Sequence, residues 1–247
     1  MTEKNRRLDV IIPSIHSRDL LLATMVSYNR FANGFDLRFI VVENSDDTSY
    51  KDEVLSHFPT CIWLQNPTEL KNSEANAAAL EVGLKFVDTD CVFLCHFDTL
   101  ATHLAWMQFI YSKIDEGYSL VGFREDATRI HALHSSGLLV KTEIARAVSL
   151  FPVGDEMDVC DSLTKYCRDN NLKYYKCRCT FNDKELREKF DKSLPELNSV
   201  DIGCNDEDVP IFMHIGRGFQ RINKLYNKQG RTSLETWIAL ANHIATL

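Results

Sequence analysis

Four short apolar runs, each breaking off into polar residues, constrain this chain more than any other feature. They are LDVIIPSI from Leu8, LRFIVVENSDD from Leu37, CIWLQNP from Cys61 and DCVFLCHFD from Asp90. Such runs, rich in β-branched and large apolar side chains and bounded by turn residues, read as buried strands. Between the first two, Asp19 to Phe31 carries apolar residues at helical spacing and FANGF closes it with turn chemistry. After the third comes the alanine-rich helix NSEANAAALEVGLKF. Strand and helix alternating at these intervals predict an α/β fold, with a mainly parallel sheet covered by helices on both faces. Ligands of such sheets collect beyond the carboxyl ends of the strands. Pro13 and Ser14, Glu43 to Asp47, Asn66, and His96 with Asp98 all fall there.

The second half is less regular. HLAWMQFIYSKI reads as a helix, YSLVGFR and SSGLLVK as strands, and SLTKYCRDNNL as a helix with Leu163, Tyr166 and Cys167 on one face. From about 181 to 209 the composition turns charged, which predicts a mobile surface excursion or lid. In TSLETWIALANHIATL, Thr232 and Glu235 suit a capping box. Leu234, Trp237, Ile238, Ala241 and Ile244 then form an apolar stripe. Packing on the same chain is the plain expectation for that stripe; a homodimer contact or a peripheral membrane contact are the alternatives.

With 247 residues, 45% of them hydrophobic, the chain buries a core without a metal or disulfide. Its net charge of -7 argues against a general nucleic-acid binder, which needs clustered Lys and Arg. The start MTEKNRRLDV lacks an apolar stretch after its charges, and no run is long enough to cross a bilayer. A cytoplasmic protein is expected, with attachment at the inner face of the membrane as the variant. Of eight cysteines, Cys61, Cys91 and Cys95 lie in apolar runs, and Cys160, Cys167, Cys177 and Cys179 lack paired zinc-ligand spacing. Reduced thiols are expected throughout.

His96 and Asp98 are the residues with the most pointed chemistry. If the strand continues through them, they share a face; a sharp turn at Phe97 would also converge them. A carboxylate with an imidazole suits Mn2+ or a similar ion, whereas Mg2+ prefers more oxygen ligands. An isolated H-x-D is otherwise a capping or hydrogen-bonding pair.

Taken in order, VIIPS, VVENSDD, NSEANAAALEVGL, VFLCHFDT, SSGLLVKTE and MHIGRG resemble the nucleotide-sugar-dependent glycosyltransferases of the GT-A fold, most of all family 2, over roughly residues 8 to 218. The resemblance implies a Rossmann-like GT-A domain over 1–221, with a nucleotide-binding half (1–100) and an acceptor-binding half (101–221), and a helical tail over 222–247. It implies donor contacts at Pro13, Ser14, Glu43, Asp47 and Asn66. HFD stands in the place of the family's D-x-D: Asp98 matches the final, metal-binding acid, while His96 replaces the first and would touch the ion or the ribose. His214 matches a third metal ligand, and Arg217 and Arg221 would meet the donor phosphates. Ala75 stands where a glycine is usual. An acid near a late helix start is the family's catalytic base, here Asp161 first and Asp158 second; an N-cap at Asp158 and a macrodipole contact at Asp161 are the plain readings. His134 and Ser135 would border the acceptor.

The implied activity is transfer of a sugar from a nucleoside diphosphate donor to a hydroxyl of a glycan or lipid-linked acceptor, dependent on Mn2+ or Mg2+ and inverting. Two other functions are compatible with the same sheet. One is a sugar-phosphate nucleotidyltransferase, although PSIHSRDLL lacks the glycine expected in its phosphate loop. The other is a GT-A-like nucleotide-binding module without turnover.

Overall fold

The computed structural model describes residues 6–225 and 231–246. Positions 1–5, 226–230 and 247, which the expected domain and tail include, lie outside them. The strands in chain order are β1 (Arg6–Ser14), β2 (Phe35–Glu43), β3 (Ile62–Gln65), β4 (Cys91–Cys95), β5 (Thr99–Ala101), β6 (Leu120–Gly122) and β7 (Glu125–Asp126). They continue with β8 (Ala132–Leu133), β9 (Gly137–Lys141), β10 (Tyr174–Lys176), β11 (Arg178–Cys179), β12 (Asp201–Cys204) and β13 (Pro210–His214). The helices are α1 (Arg18–Arg30), α2 (Lys51–His57), α3 (Asn72–Leu84), α4 (Trp106–Asp115), α5 (Thr142–Ala147), α6 (Asp161–Asp169), α7 (Lys184–Ser193), α8 (Gly218–Ile222) and α9 (Leu234–Thr246).

The main sheet runs β10, β6, β9, β4, β1, β2, β3. All its pairs are parallel except those of β9, which is antiparallel to both β4 and β6. The α/β expectation of a mixed, mainly parallel sheet holds. Alternation along β1 explains its uniform apolarity: Leu8, Val10 and Ile12 face a core with Leu20, Met25, Tyr28 and Trp106, while Ile11 faces another with Ala77, Leu80 and Leu84. Both faces are dry, and each large side chain so buried contributes about 1.5–3 kcal/mol. Gly83 of α3 sits against Ile11 so tightly that an added Cβ would meet Ile11 Cγ2 at 2.6 Å. That is where a small residue lets the helix approach the sheet. Pro13 does not end the strand: it is opposite Val42 of β2, beyond the stretch that pairs with β4, so its missing N–H breaks no ladder there. Low in the sheet, the fully buried Asp9 accepts from Arg38 Nε and Nη2, each at 2.7 Å, and the two residues are register partners.

A second sheet runs β11, β12, β13, β5, all antiparallel. β5 follows β4 after the turn at 96–98, so this sheet grows out of the carboxyl end of β4. The charged stretch expected to be a lid supplies β12 to it. The same stretch supplies α7, capped by Asp183 accepting from the Leu186 N–H, with Leu186 and Phe190 buried in the core. Charge marks its outer face, and the buried one is carried by a few apolar residues.

In α9, Trp237, Ala241 and Ile244 are buried and the helix packs on α1. The apolar stripe is thus used within the chain, which leaves that face unavailable to the homodimer or membrane contact considered from sequence. Its cap is Ser233, whose Oγ accepts from the Thr236 N–H at 3.0 Å, one position later than the expected Thr232. No described helix is long and apolar enough to cross a membrane. All eight cysteines are buried and free of disulfides.

Candidate active site

The strand does not continue through His96 and Asp98; a turn converges them. That turn is fastened from below by α1. Thr24 Oγ1 lies 2.7 Å from the carbonyls of both Phe97 and Thr99. Tyr28 Oη donates to Thr99 Oγ1 at 2.7 Å, and Thr99 Oγ1 in turn donates to the His96 carbonyl at 2.8 Å. Ser27 Oγ accepts from the Ala101 N–H at 3.1 Å. Three polar residues on the buried side of an otherwise apolar helix are thus used to fix one turn.

Asp98 meets His214 at the seam between the sheets. β13 pairs with β5 so that His214 is opposite Thr99, which brings His214 Nε2 to 3.3 Å from Asp98 Oδ1. The other oxygen, Oδ2, accepts from the Gly218 N–H at 2.9 Å. Only glycine fits there: a Cβ at 218 would lie 2.8 Å from both Asp98 Cβ and Phe97 Cε2. His96 Nδ1 is 3.9 Å from Asp98 Oδ1, the oxygen that faces His214. Its Nε2 is 3.0 Å from Asn76 Nδ2 and from Ser135 Oγ. His134 completes a group of three rings, its centroid 5.5 Å from that of His96 and 5.8 Å from that of His214.

The electrostatics follow from this packing. Burial opposes charge on His214, but Asp98, with Asp201 on its other side, carries it up to about 9. Burial would raise Asp98, yet His214, His96 and the Gly218 N–H hold it down to about 2. Removal from water lowers His96 to about 4, against the pull of Asp98, and drives His134 well below its ordinary value. One ligand atom each from His96, Asp98 and His214 lie within 4.8 Å of one another. A small contraction suits them to an ion with bonds of about 2.1 Å. The donor set fits a divalent ion that accepts imidazole, and binding would displace the His214 proton.

A second polar cluster surrounds the end of β2. Glu43 is fully buried and accepts from the hydroxyls of Ser45 and Tyr50 and from the His16 N–H at 3.2 Å. Ser14 Oγ is 2.7 Å from Ser17 Oγ and 3.1 Å from Tyr50 Oη. Asp47, half-buried, takes the Ser49 N–H at 2.8 Å and lies 3.3 Å from His16 Nδ1; contacts from Ser49, with His16 adding, lower its pKa. Asn66 donates to Asn44 Oδ1 at 2.8 Å, and Asn44 to the Ala75 carbonyl at 3.0 Å. Glu43 therefore braces the cluster from within, while Asp47 and Asn66 are half-buried and His16 is exposed.

The two arginines differ in the same way. Arg217 is exposed, at a left-handed residue after Gly216. Arg221 is buried and donates to the carbonyls of Gly216 at 2.8 Å and Thr232 at 2.7 Å. Its guanidinium holds the turn, which departs from the phosphate contact expected of it.

Of the two acids at the start of α6, Asp161, its first residue, is fully buried, and Asp158, before it, is partly open. Asp161 Oδ2 accepts from the Asp158 N–H at 2.8 Å and lies 3.4 Å from Arg129 Nε, while Oδ1 has no hydrogen-bond partner. Burial pushes the Asp161 carboxyl up to about 6. Asp158 accepts from the Val159 N–H and from Arg129, which also reaches Asp126 at 3.1 Å. Against the effect of burial, Ser73, the Val159 N–H and Arg129 keep Asp158 below the ordinary carboxylate range. Sequence reasoning passed over Asn76, Arg129, Asp201 and Gly218; only the last left a signal, the glycine pair in GRG.

No family model matches this sequence, and no curated protein matches it. Solved structures do match the fold. A mannosyltransferase from Pyrobaculum calidifontis, in complex with GDP-Man and Mn2+, is similar with a TM-score of 0.56 at 14% identity, over 70% of this chain and 55% of that one. Glucosyl-3-phosphoglycerate synthase from Mycobacterium tuberculosis, in complex with phosphoglyceric acid, is similar with a TM-score of 0.50 at 12% identity, over 69% of each chain. This chain spans about half the length of the mannosyltransferase. Likeness at such identity speaks for the fold: the chain has the GT-A fold of glycosyltransferases.

Proposed function

We propose that this chain is a metal-dependent, inverting glycosyltransferase that moves a sugar from a nucleoside diphosphate onto a hydroxyl of a glycan or lipid-linked acceptor. The observation that carries the reading is the convergence of His96, Asp98 and His214 beyond the end of β4, where ligands of such sheets bind. A divalent cation bound there, Mn2+ by donor type, would offset the charge developing on the leaving diphosphate. The GT-A neighbour solved with GDP-Man and Mn2+ supports the same combination of donor and ion.

Each group then has a task suited to its surroundings. Asp98 and His214 hold the cation, and His96 joins them through Nδ1 when its Nε2–H donates to Ser135 Oγ and the Asn76 amide turns its oxygen, not its nitrogen, to that ring. Asp47 and His16, with Ser14 nearby, face the nucleoside; Arg217 is free to swing toward phosphate. Inversion needs a base at the acceptor hydroxyl. Asp158 fits that task better than Asp161, because it reaches solvent, whereas Asp161 is fully buried behind it, against Arg129. His134 borders the acceptor side.

Calorimetry with a panel of nucleoside diphosphates, each with and without Mn2+, tests the proposal. At least one is expected to bind, and only with the ion present. Failure of every nucleotide to bind in the presence of Mn2+ removes the reading.

A further inference from the structure

His214 turns one ring nitrogen to Asp98, and the other, Nδ1, is buried without a hydrogen bond. It lies 3.6 Å, an ion-pair distance, from Oδ2 of Asp201. The fold dictates this proximity. Asp201 and His214 are direct partners across β12 and β13, and opposite residues of an antiparallel pair project to the same face. Asp201 is itself fixed: Arg124 Nη1 donates to the same Oδ2 at 3.1 Å, and Arg187 approaches Oδ1 at 3.7 Å.

We propose that Asp201 is the positioning residue of His214, accepting its Nδ1–H and so directing the Nε2 lone pair to the cation shared with Asp98. The inference rests on the metal-dependent reading above. An imidazole can present either nitrogen by turning half-way about its Cβ–Cγ bond. A carboxylate behind one nitrogen removes that choice, and such outer partners orient and strengthen histidine ligands. Asp201 does this from the neighbouring strand, while Arg124 and Arg187 keep its oxygens from turning away. Closing the gap to a hydrogen bond takes a movement of well under about 1 Å. No other carboxylate is paired with this nitrogen among the described residues.

Two readouts test it, neither of them turnover. The first needs no metal: ring 15N–1H correlation spectra of the labelled protein, with the His214 signal assigned by its loss in His214→Gln. A slowly exchanging Nδ1–H is expected from His214, and it should exchange freely in Asp201→Ala, which removes the acceptor. Absence of that proton in the parent, or its persistence in the variant, overturns the proposal. The second is calorimetric titration with Mn2+ alone. Asp201→Ala should bind about 10–100-fold more weakly, while Arg178→Gln, which breaks ion pairs with Asp183 and Asp208 in the same sheet without touching Asp201 or His214, should bind as the parent does. Equal affinity in Asp201→Ala, or an equal loss in Arg178→Gln, also overturns it. A parent that binds no Mn2+ but keeps the protected ring proton sinks the sugar-transfer reading and leaves the pairing of Asp201 with His214 standing. Thermal unfolding of each variant checks that it is folded.

Discussion

Gly218 lends its N–H to one oxygen of Asp98 while His214 approaches the other, at 2.9 and 3.3 Å. One carboxylate thus ties the turn after β4 to the segment after β13. Replacement of either partner acts on both the site and the fold.

Asp98→Asn and His214→Gln should each lower Mn2+ affinity by roughly 100-fold or more, the loss of a direct ligand exceeding that of an outer partner. Calorimetry reads this directly. Parent-like affinity in both variants removes the metal site.

Gly218→Ala is expected to cost about 1–3 kcal/mol, since its methyl group overpacks a closed contact. It should also weaken Mn2+ binding, because Asp98 is what the methyl group displaces. Chemical denaturation and metal titration of one variant check the two effects together.

The Asp161 carboxyl, pushed up to about 6 by burial, gives a pH signature of known sign. A pKa raised on folding means that the neutral acid is favoured in the native state. Its contribution is present below 3.8 and is lost as pH rises through about 6. Asp161→Asn mimics the neutral form, so relative to the parent it should gain on the order of 2 kcal/mol between pH 4 and pH 8. Denaturation midpoints at the two pH values measure it. A difference that does not change with pH shows that Asp161 is ionised without cost.

If Asp158 is the base, Asp158→Asn should abolish transfer while donor affinity is kept, and Asp161→Asn should retain turnover. Donor hydrolysis and acceptor transfer, measured separately, distinguish the two. The reverse pattern restores Asp161 to that role.

Asp9→Ala should be among the more damaging changes far from the site. Arg38 loses a bidentate partner and keeps only Asp88 and the Phe86 carbonyl, nearer solvent. The cost is about 2–3 kcal/mol, the worth of a charge-assisted hydrogen-bond pair, which for a chain of this length lowers the melting temperature by roughly 5–10 °C. Thermal scans suffice to check it.

Much of this was legible in the sequence because it is local. The four apolar runs became β1 to β4, and the alanine-rich run became α3, since buried strands and a close-packed helix need just those residue types; β3, at the sheet edge, is only half-buried, against the buried strand expected there. His96, Asp98 and His214 were marked by chemistry and met as expected. What stayed hidden is non-local. β5 has three residues, too few for any period to show, and without it the second sheet and the place of Asp201 could not be inferred. The charged composition of α7 concealed Leu186 and Phe190, its buried residues. α2 was missed for a related reason: in KDEVLSH only Val54 is buried. Asn76 and Arg129 look like ordinary surface residues until folding sets them against His96 and Asp158.

The pairing of β13 with β5 has one more consequence. Side chains of a strand alternate between faces, so a slip of one residue would swing His214 away from Asp98 and put Met213 or Ile215 in its place. An ion clasped between the two side chains would act as a pin through this strand pair, and its release would free the strand to slide.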